Sequence, residues 1–544
     1  MKDKLLISLA LFLVACSLDK GVYGEFDSSS IAANERNALA ALTGIYRGNI
    51  TYNLPEYTPS DWWSYGGLLF LELPTDNAYD RRGENSNFHR LTDGTLFSDN
   101  SIIESYWKNS YAKIVRVNNF LEDIQQLSDD SKLKSRFIAE ARFLRATQYF
   151  YLSQFFGGVP LIRVKMSLDE ANSTPKSSKE RVEEFVETEL LESVKDLPYL
   201  RDMPASEMGR VSRQAALAFL GRLYLGQYRF EAAIDVYEAI VDFGDNELLA
   251  DYSSVFLPQN KQNRETIFAV QYLAGRLGAG LPQHTFPVKD GGWCLINATA
   301  SLFESYEFID GSLFSYEDIR YNPKNLGEGR DPRLDYTLYY DGTMFRHGKY
   351  ECHPDYPTSR DCIDTGQTTQ TGLMLRKYLD EDAKYNLNSY GANIPVIRYA
   401  EVLLSLLEAK LEAGMPISQV LLDETINKVR GRASVQMPPI TETNATLLRE
   451  ILRRERRVEL AMEGIRYWDL LRWKTAHIEL NAPIFGAPYP DAVRMKVPPH
   501  GERDSNSRWY VGIRKFRKEK DYNWPIPLHD QLINPELKTT NINY

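Results

Sequence analysis

The sequence predicts a mostly α-helical protein built from paired helices, with a long irregular region that carries short strands. Two observations lead to this fold class. Apolar residues recur at three- and four-residue spacing in both halves of the chain, mainly over 101–243 and 396–474. Over 51–100 and 250–390 this periodicity gives way to Gly, Pro and Asn clusters. With 544 residues, 43% of them hydrophobic, the chain can bury a large core.

The first thirty residues have the pattern of an export signal followed by a tether. Two lysines precede an apolar run over 5–14, which has the length of a signal-peptide core and is too short to span a bilayer. The run ends at Ala15-Cys16 in a pattern that resembles the lipobox of bacterial lipoproteins. We therefore predict that 1–15 is a signal peptide, that Cys16 is the lipidated N-terminus, and that 16–30 is a polar tether anchored by lipid.

Helical periodicity and its breaks predict the elements in chain order. After a first helix within 31–50, the predicted helices are 101–127, 132–156, 179–197, 211–226, 229–243, 396–413, 418–431 and 445–474. Within the irregular region, apolar runs at Thr266–Val270 and Asp335–Tyr340 predict short strands. A tail punctuated by Pro and Trp closes the chain.

One helix pair carries a recognisable repeat. Leu220-Gly221, Tyr224, Ala233 and Tyr237 match the spacing of a tetratricopeptide pair. Gly221 and Ala233 are small where two antiparallel helices approach closely, and the larger side chains fill the groove. Because one pair cannot bury both faces, about three or more must stack. We predict an all-α dominated, tetratricopeptide-like scaffold with a loop-rich lobe; an unrelated helical hairpin is the alternative.

Charged residues in the helix predicted at 445–474 recur at ion-pair spacing. The residues predicted to form structural pairs three positions apart are Glu450 with Arg453, Arg456 with Glu459, Glu463 with Arg466, and Asp469 with Arg472. Three glutamates, at 455, 459 and 463, also stack at four-residue spacing and would repel one another unless arginines from this or another helix lie between them. We predict bidentate arginine–carboxylate bonds here and no catalytic carboxylate pair.

The segment 453–473 resembles the signature helix of the SusD-like (RagB/SusD) family of outer-membrane lipoproteins. Similar stretches recur at 140–146 with 156–161, at 394–404, and at 524–527 with 534–535. The resemblance implies a single SusD-like domain over 31–544. In this domain a lobe formed by 51–100 and 250–390 carries the ligand contacts. It also implies a glycan-binding lipoprotein at the surface of a Gram-negative cell, which caps a TonB-dependent SusC-like transporter.

Composition and motifs exclude other classes of function. The net charge of −10, without a Lys/Arg-rich block, argues against nucleic acid and mildly disfavours a polyanionic ligand. No complete nucleophile-elbow, zinc-protease or phosphate-loop motif is found. We predict no enzyme activity and no cofactor; a bound Ca²⁺ has no support from an EF-hand loop.

Two of the cysteines left after processing flank a short loop. Cys352 and Cys362 could close a disulfide across it in an oxidising compartment. The alternative is a metal site built from His347, Cys352, His353 and Cys362, although adjacent residues rarely ligate the same ion. We favour the disulfide and predict no metal.

Two loops combine aromatic and polar residues, as a carbohydrate site requires. Sugar rings stack on flat aromatic faces, and their hydroxyls bond to carboxylate, amide or guanidinium groups. The candidate ligand residues are Trp62, Trp63, Tyr65, Asn77, Tyr79, Asp80, Arg81 and Trp293. Any of these tryptophans could instead pack in the core, as we expect for Trp107, Trp468 and Trp473.

The leading prediction is therefore non-catalytic binding of an oligosaccharide or polysaccharide and its delivery to a SusC-like transporter. A lipid-anchored tetratricopeptide-type scaffold that binds protein or peptide is the alternative, with the Trp loops as its hot spots. A glycan-cleaving lipoprotein ranks last.

Overall fold

Helices dominate the protein, which confirms the predicted fold class. The computed structural model describes residues 34–127, 132–346, 348–363, 365–381 and 386–538. Of these residues, 44% are helical and 9% lie in strands. The predicted signal peptide, Cys16 and the tether lie outside the described residues. Within the described part, no helix is long and apolar enough to cross a membrane.

The main helices form an array in which most pack against the next one along the chain. They are α1 (Glu35–Arg47), α2 (Ser101–Asp123), α3 (Lys132–Phe156), α4 (Lys179–Asp196), α5 (Arg213–Gly226), α6 (Phe230–Asp242), α7 (Tyr399–Glu412), α8 (Ala445–Glu459) and α9 (Arg466–Arg472). From α2 to α8, each helix contacts its successor, and α1 packs on α3. The array therefore runs through both halves of the chain, and the irregular lobe is inserted in two parts, between α1 and α2 and between α6 and α7.

Short helices and strands make up much of the remainder. The short helices are Tyr65–Leu69, Leu168–Ala171, Leu281–Thr285, Ala300–Glu304, Arg333–Thr337, Gln419–Glu424, Ile426–Arg430, Ala476–Glu479 and Leu528–Ile533. The strands are β1 (Ala78–Asp80), β2 (Thr266–Val270), β3 (Ile296–Ala298), β4 (Leu338–Tyr339), β5 (Met344–Phe345), β6 (Gly348–Lys349), β7 (Met374–Leu375), β8 (Ile394–Arg398), β9 (Pro483–Pro488) and β10 (Arg508–Ile513). All pair antiparallel, in one sheet of order β1-β3-β7-β4 and in the pairs β2-β8, β5-β6 and β9-β10.

The pair α5–α6 has the close packing that its sequence spacing predicts. A Cβ atom added to Gly221 would lie 2.3 Å from Cζ of Tyr237, which is closer than any side chain tolerates. Ala233 and Tyr237 are buried on the facing helix. The glycine is therefore required by the contact between the two helices.

Three predicted helices are wrong in part. The segment predicted as a helix from 396 begins as strand β8, because Ile394–Arg398 pairs with β2 before α7 starts at Tyr399. The helix predicted over 418–431 is interrupted at Thr425. The helix predicted over 445–474 ends at Glu459, and α9 starts only after a turn in which Met462 and Gly464 have φ values of 62° and 78°.

One strand prediction also needs correction, and one strand pair was not predicted. The segment predicted as a strand over Asp335–Tyr340 lies mainly in the short helix Arg333–Thr337, and only Leu338–Tyr339 is a strand. In the tail, where no strand was predicted, β9 and β10 form a hairpin with irregular register. Along β10, buried residues alternate with partly exposed ones, which is the period-two pattern of a strand.

A buried group of ion pairs joins α8 to the lobe. We call it the arginine–glutamate network; its members are Glu265, Arg333, Lys377, Arg398, Arg432, Glu455, Glu459 and Glu463. At its centre, the Glu459 carboxylate lies 2.6 Å from Arg398, 2.9 Å from Arg333 and 3.1 Å from Arg432. Positively charged side chains from other segments thus lie between the three stacked glutamates, as we expected from their four-residue spacing.

One pair of the predicted ladder is confirmed, because Arg472 Nε lies 2.9 Å from Asp469 Oδ1, but the other predicted pairs are wrong. Arg456 pairs with Asp469 at 2.7 Å, and Arg466 pairs with Asp76 at 2.9 Å. The Arg453 guanidinium lies over the Trp473 ring, and Glu450 is exposed. The turn at 460–465 removes Glu463 and Arg466 from the axis of α8, so the charged side chains find partners across the fold instead of along one helix.

Candidate ligand-binding cleft

The two adjacent tryptophans proposed as a sugar platform lie in the core. Trp62 is completely buried, stacks on Tyr106 and Tyr151 at ring distances of 4.0 and 4.6 Å, and donates its Nε1–H to Ser110 Oγ. Trp63 is 3% exposed and packs edge-on to Phe268. Neither ring face is open, so neither residue is placed to stack on a ligand.

Four further candidates are also buried and have internal partners. Tyr65 donates to or accepts from His284 Nδ1 at 3.3 Å, and Asn77 donates to Glu72 at 2.9 Å. Tyr79 packs edge-on to the His89 ring, and burial raises its pKa to about 12. Asp80 accepts hydrogen bonds from Arg82. These contacts show that the four side chains stabilise the lobe from within.

The other two candidates, Arg81 and Trp293, line one open cleft of about 460 Å³. The sheet brings them together, because β1 pairs with β3 and the Arg81 N–H donates to the Leu295 carbonyl at 3.0 Å. Tyr57 and Gln367 lie at the same cleft. We call it the Trp293 cleft.

An aromatic platform forms one wall of the Trp293 cleft. The rings of Tyr57 and Trp293 are stacked, with centroids 5.6 Å apart and planes inclined by 30°. Tyr57 is 61% exposed, and Trp293 is partly exposed. The turn before Trp293 is tight, since Gly291 has a φ of 88° and a Cβ atom on Gly292 would lie 2.2 Å from the Phe286 carbonyl. The glycines thus allow the ring to reach the surface.

His284 supports the platform from below. Its ring lies 5.2 Å from the Trp293 ring and is buried. Burial, together with the nearby positive charges of Arg82 and Arg81, lowers the pKa of His284 to about 3. The imidazole is therefore neutral at physiological pH and acts as an uncharged part of the cleft floor.

Sequence patterns did not single out three residues of the Trp293 cleft: Tyr57, His284 and Gln367. Tyr57 had a local signal, because it lies between Pro55 and Pro59, where an aromatic side chain cannot belong to a packed helix. His284 and Gln367 had no local sequence signal, because only the fold of the lobe brings them to the cleft.

The cysteine predictions do not fit the structure. Cys352 and Cys362 are free and buried, so the disulfide is wrong. Cys352 Sγ lies 3.5 Å from Tyr489 Oη, whereas Cys362 Sγ accepts a hydrogen bond from Arg494 at 3.3 Å. His347 lies outside the described residues. Within the described part of the chain, no cluster of three or more His, Cys, Asp or Glu side chains could hold a metal ion.

Comparison with known families identifies the family to which this fold belongs. The model described as "SusD family" matches residues 262–544, which is more than half of the chain. The chain belongs to the SusD family. A second model, described as "Starch-binding associating with outer membrane", matches residues 71–225 of this SusD-family protein. The two matches include parts of both the scaffold and the lobe, and they confirm the resemblance seen in the signature segment.

Solved structures and curated relatives agree with this assignment. A SusD-like carbohydrate binding protein from Bacteroides fragilis is 49% identical, with 94% of this chain and 100% of that chain covered and a TM-score of 0.91. SusD-like protein P2 of Formosa agariphila is 25% identical over 99% of this chain and 98% of its own length. The starch-binding protein SusD of Bacteroides thetaiotaomicron is 25% identical over 74% of this chain and 75% of its own length.

Proposed function

We propose that this SusD-family protein binds an oligosaccharide or polysaccharide in the Trp293 cleft and does not cleave it. The observation that carries the proposal is the stacked pair Tyr57–Trp293, which is open to solvent beside Arg81 and Gln367. Flat aromatic faces take the apolar side of a sugar ring, while guanidinium and amide groups bond to its hydroxyls. Relatives named as carbohydrate-binding and starch-binding support this assignment.

The lining of the cleft supports binding without hydrolysis. A glycosidase needs two carboxylates about 5 to 10 Å apart across the scissile bond. The residues described at the Trp293 cleft include no Asp or Glu. The nearby Asp80 carboxylate is buried and forms a salt bridge with Arg82.

Affinity electrophoresis of the purified protein in gels containing single glycans tests this function. We expect one glycan to retard the protein, without new reducing ends. Trp293→Ala and Tyr57→Ala should abolish the retardation, whereas Phe97→Ala should not, because Phe97 is an exposed aromatic residue outside the cleft. Retardation that survives Trp293→Ala would contradict this site. Retardation by no glycan would favour the protein-binding scaffold.

We propose further that the protein is anchored to the outer membrane through lipidated Cys16 and passes its ligand to a SusC-like TonB-dependent transporter. The name of the matched family model, which refers to the outer membrane, and the lipobox-like pattern support this location. Docking over a transporter would raise the effective concentration of released glycan at the pore.

Membrane fractionation and co-purification test the anchor and the partner. The unaltered protein should sediment with outer membranes and co-purify with a TonB-dependent transporter. Cys16→Ala should release it from the membrane pellet without altering its glycan binding. A membrane-bound Cys16→Ala protein would contradict lipid anchoring, and purification without any transporter would contradict delivery.

A further inference from the structure

The Trp293 cleft is cationic although the whole chain is acidic. Two arginines and no carboxylate lie among its described lining residues, whereas the chain carries a net charge of −10. The two arginines differ in their surroundings. Arg82 is neutralised by Asp80, whose carboxylate oxygens lie 2.7 Å from its Nη2 and 3.0 Å from its Nε.

Arg81 has no such partner. Within the described residues, it forms no salt bridge, and its Nε–H is shielded from solvent without any hydrogen-bond acceptor. The positive charge of Arg81 therefore has no carboxylate partner among the described residues, and the partly exposed side chain lines the cleft where a ligand would bind.

The chemistry of Arg81 favours an anionic acceptor. A guanidinium presents parallel N–H groups that match the two oxygens of a carboxylate or a sulfate, and such charge-assisted bonds are stronger than bonds to a neutral hydroxyl. Both arginines lie close enough to His284 to help lower its pKa, and no carboxylate is among the described lining residues of the cleft.

We infer that the Trp293 cleft selects an acidic glycan, in which a sugar ring stacks on Tyr57 and Trp293 while a carboxylate or sulfate on the glycan pairs with Arg81. This inference rests on the proposed function and adds the class of ligand. The whole-chain charge, which disfavours polyanions at long range, is screened within about 10 Å at ordinary ionic strength and does not oppose a local contact.

A panel of matched polymers tests the inference. Binding is measured by affinity electrophoresis and calorimetry against polygalacturonate and alginate, the same polymers after reduction of their carboxyl groups, a sulfated galactan before and after desulfation, and neutral starch and laminarin. The variants are Arg81→Met, Arg81→Lys, Trp293→Ala and, as a matched control, Arg276→Met, which alters an exposed arginine outside the cleft. Thermal unfolding of each variant shows that the fold is intact.

We expect at least one acidic polymer to bind about tenfold or more tightly than its uncharged counterpart, because a hydrogen bond to a charged group is worth that ratio or more. Arg81→Met should remove this preference, Arg81→Lys should retain part of it, and Arg276→Met should leave it unchanged. The preference should also weaken as salt is raised. Whether carboxyl reduction or desulfation abolishes binding identifies the anionic group.

Two results would overturn the inference and are distinguishable. Equal affinity for charged and uncharged polymers, unchanged in Arg81→Met but lost in Trp293→Ala, would refute acidic selectivity and leave glycan binding in place. Failure of every polymer to bind the unaltered protein would refute the proposed function itself.

Discussion

Trp62 and Trp293 show how differently the same side chain is used in this protein. Trp62 is fully enclosed by stacked rings, whereas Trp293 forms part of an open wall. We predict that Trp62→Ala lowers the free energy of unfolding by about 3–5 kcal/mol, because it leaves a large cavity. Trp293→Ala should cost much less and affect binding instead.

Urea denaturation of the two variants beside the unaltered protein checks this prediction. Equal losses of stability in Trp62→Ala and Trp293→Ala would contradict it.

The sequence could identify aromatic residues in the lobe but could not separate the buried from the exposed ones. The burial of Trp62 and Trp63 depends on Ser110, Tyr151 and Phe268, all distant along the chain. Only the assembled fold brings these partners together. Local composition did identify Arg81 and Trp293, because their two loops combine aromatic with polar residues and glycines precede Trp293.

Glu56 should make stability depend on pH near neutrality. The buried carboxyl accepts hydrogen bonds from Ser60, Ser64 and the Gly66 N–H, yet burial raises its pKa to about 7. In the unfolded chain, the pKa of a glutamate is about 4.3, so the folded state binds more protons between these values. Stability should therefore fall as pH rises from 5 towards 7.

Thermal unfolding between pH 5 and 8 measures this dependence. Replacing the carboxyl in Glu56→Gln should flatten the part of the slope that Glu56 causes. An unchanged slope in the variant would show that Glu56 does not titrate in this range. Glu72, whose pKa burial also raises to about 7, should supply a similar slope that remains in the variant.

At the scale of single elements, two helix glycines offer a matched comparison. Gly221→Ala places a methyl group against the Tyr237 ring, and we predict that it destabilises the protein by about 1–3 kcal/mol. Gly44 lies in α1 with no atom near its missing Cβ. Gly44→Ala should therefore stabilise the protein by about 0.5–1 kcal/mol through helix propensity alone.

Chemical denaturation of both variants measures whether the free energy of unfolding falls in Gly221→Ala and rises in Gly44→Ala. Stabilisation by Gly221→Ala would show that α5 and α6 do not approach as closely as the tetratricopeptide-like packing requires.

Hydrophobic periodicity predicted the long helices well, but it failed where tertiary contacts determine the secondary structure. An apolar run such as Ile394–Arg398 suits a buried strand or a buried helix equally, and its pairing with β2 settles the matter. The break at Gly464 has a similar origin. A Cβ atom there would lie 2.1 Å from the Leu68 carbonyl, a contact with the distant short helix Tyr65–Leu69 that no local pattern reveals.

At the scale of the whole molecule, the arginine–glutamate network connects the array to the lobe. Burial raises the pKa of Glu459, but the guanidinium groups of Arg398, Arg432 and Arg333 outweigh it and hold the pKa well below its usual range. We predict that Glu459→Gln costs about 3–5 kcal/mol, because it leaves buried positive charges without their partner. Glu450→Gln, on the exposed side of α8, should cost almost nothing.

Denaturation at neutral pH compares these two variants, and an acid titration adds a second test. Since the folded-state pKa of Glu459 is lowered, its contribution is present above the unfolded pKa of about 4.3 and is lost as pH falls below that value. The difference in stability between the unaltered protein and Glu459→Gln should therefore shrink below pH 4. A difference that persists in acid would contradict this role.

Asp76 joins distant parts of the chain, and this has a consequence for the order of folding. It accepts salt bridges from Arg457 and Arg466, the second of which follows it by 390 residues. The helical pairs between α2 and α6 rest on local contacts and can form early, whereas long-range contacts form slowly. We therefore expect the lobe to complete its folding only after α8 and α9 have been synthesised. A chain that stops before 453 would leave the Asp76 carboxylate without its two arginine partners.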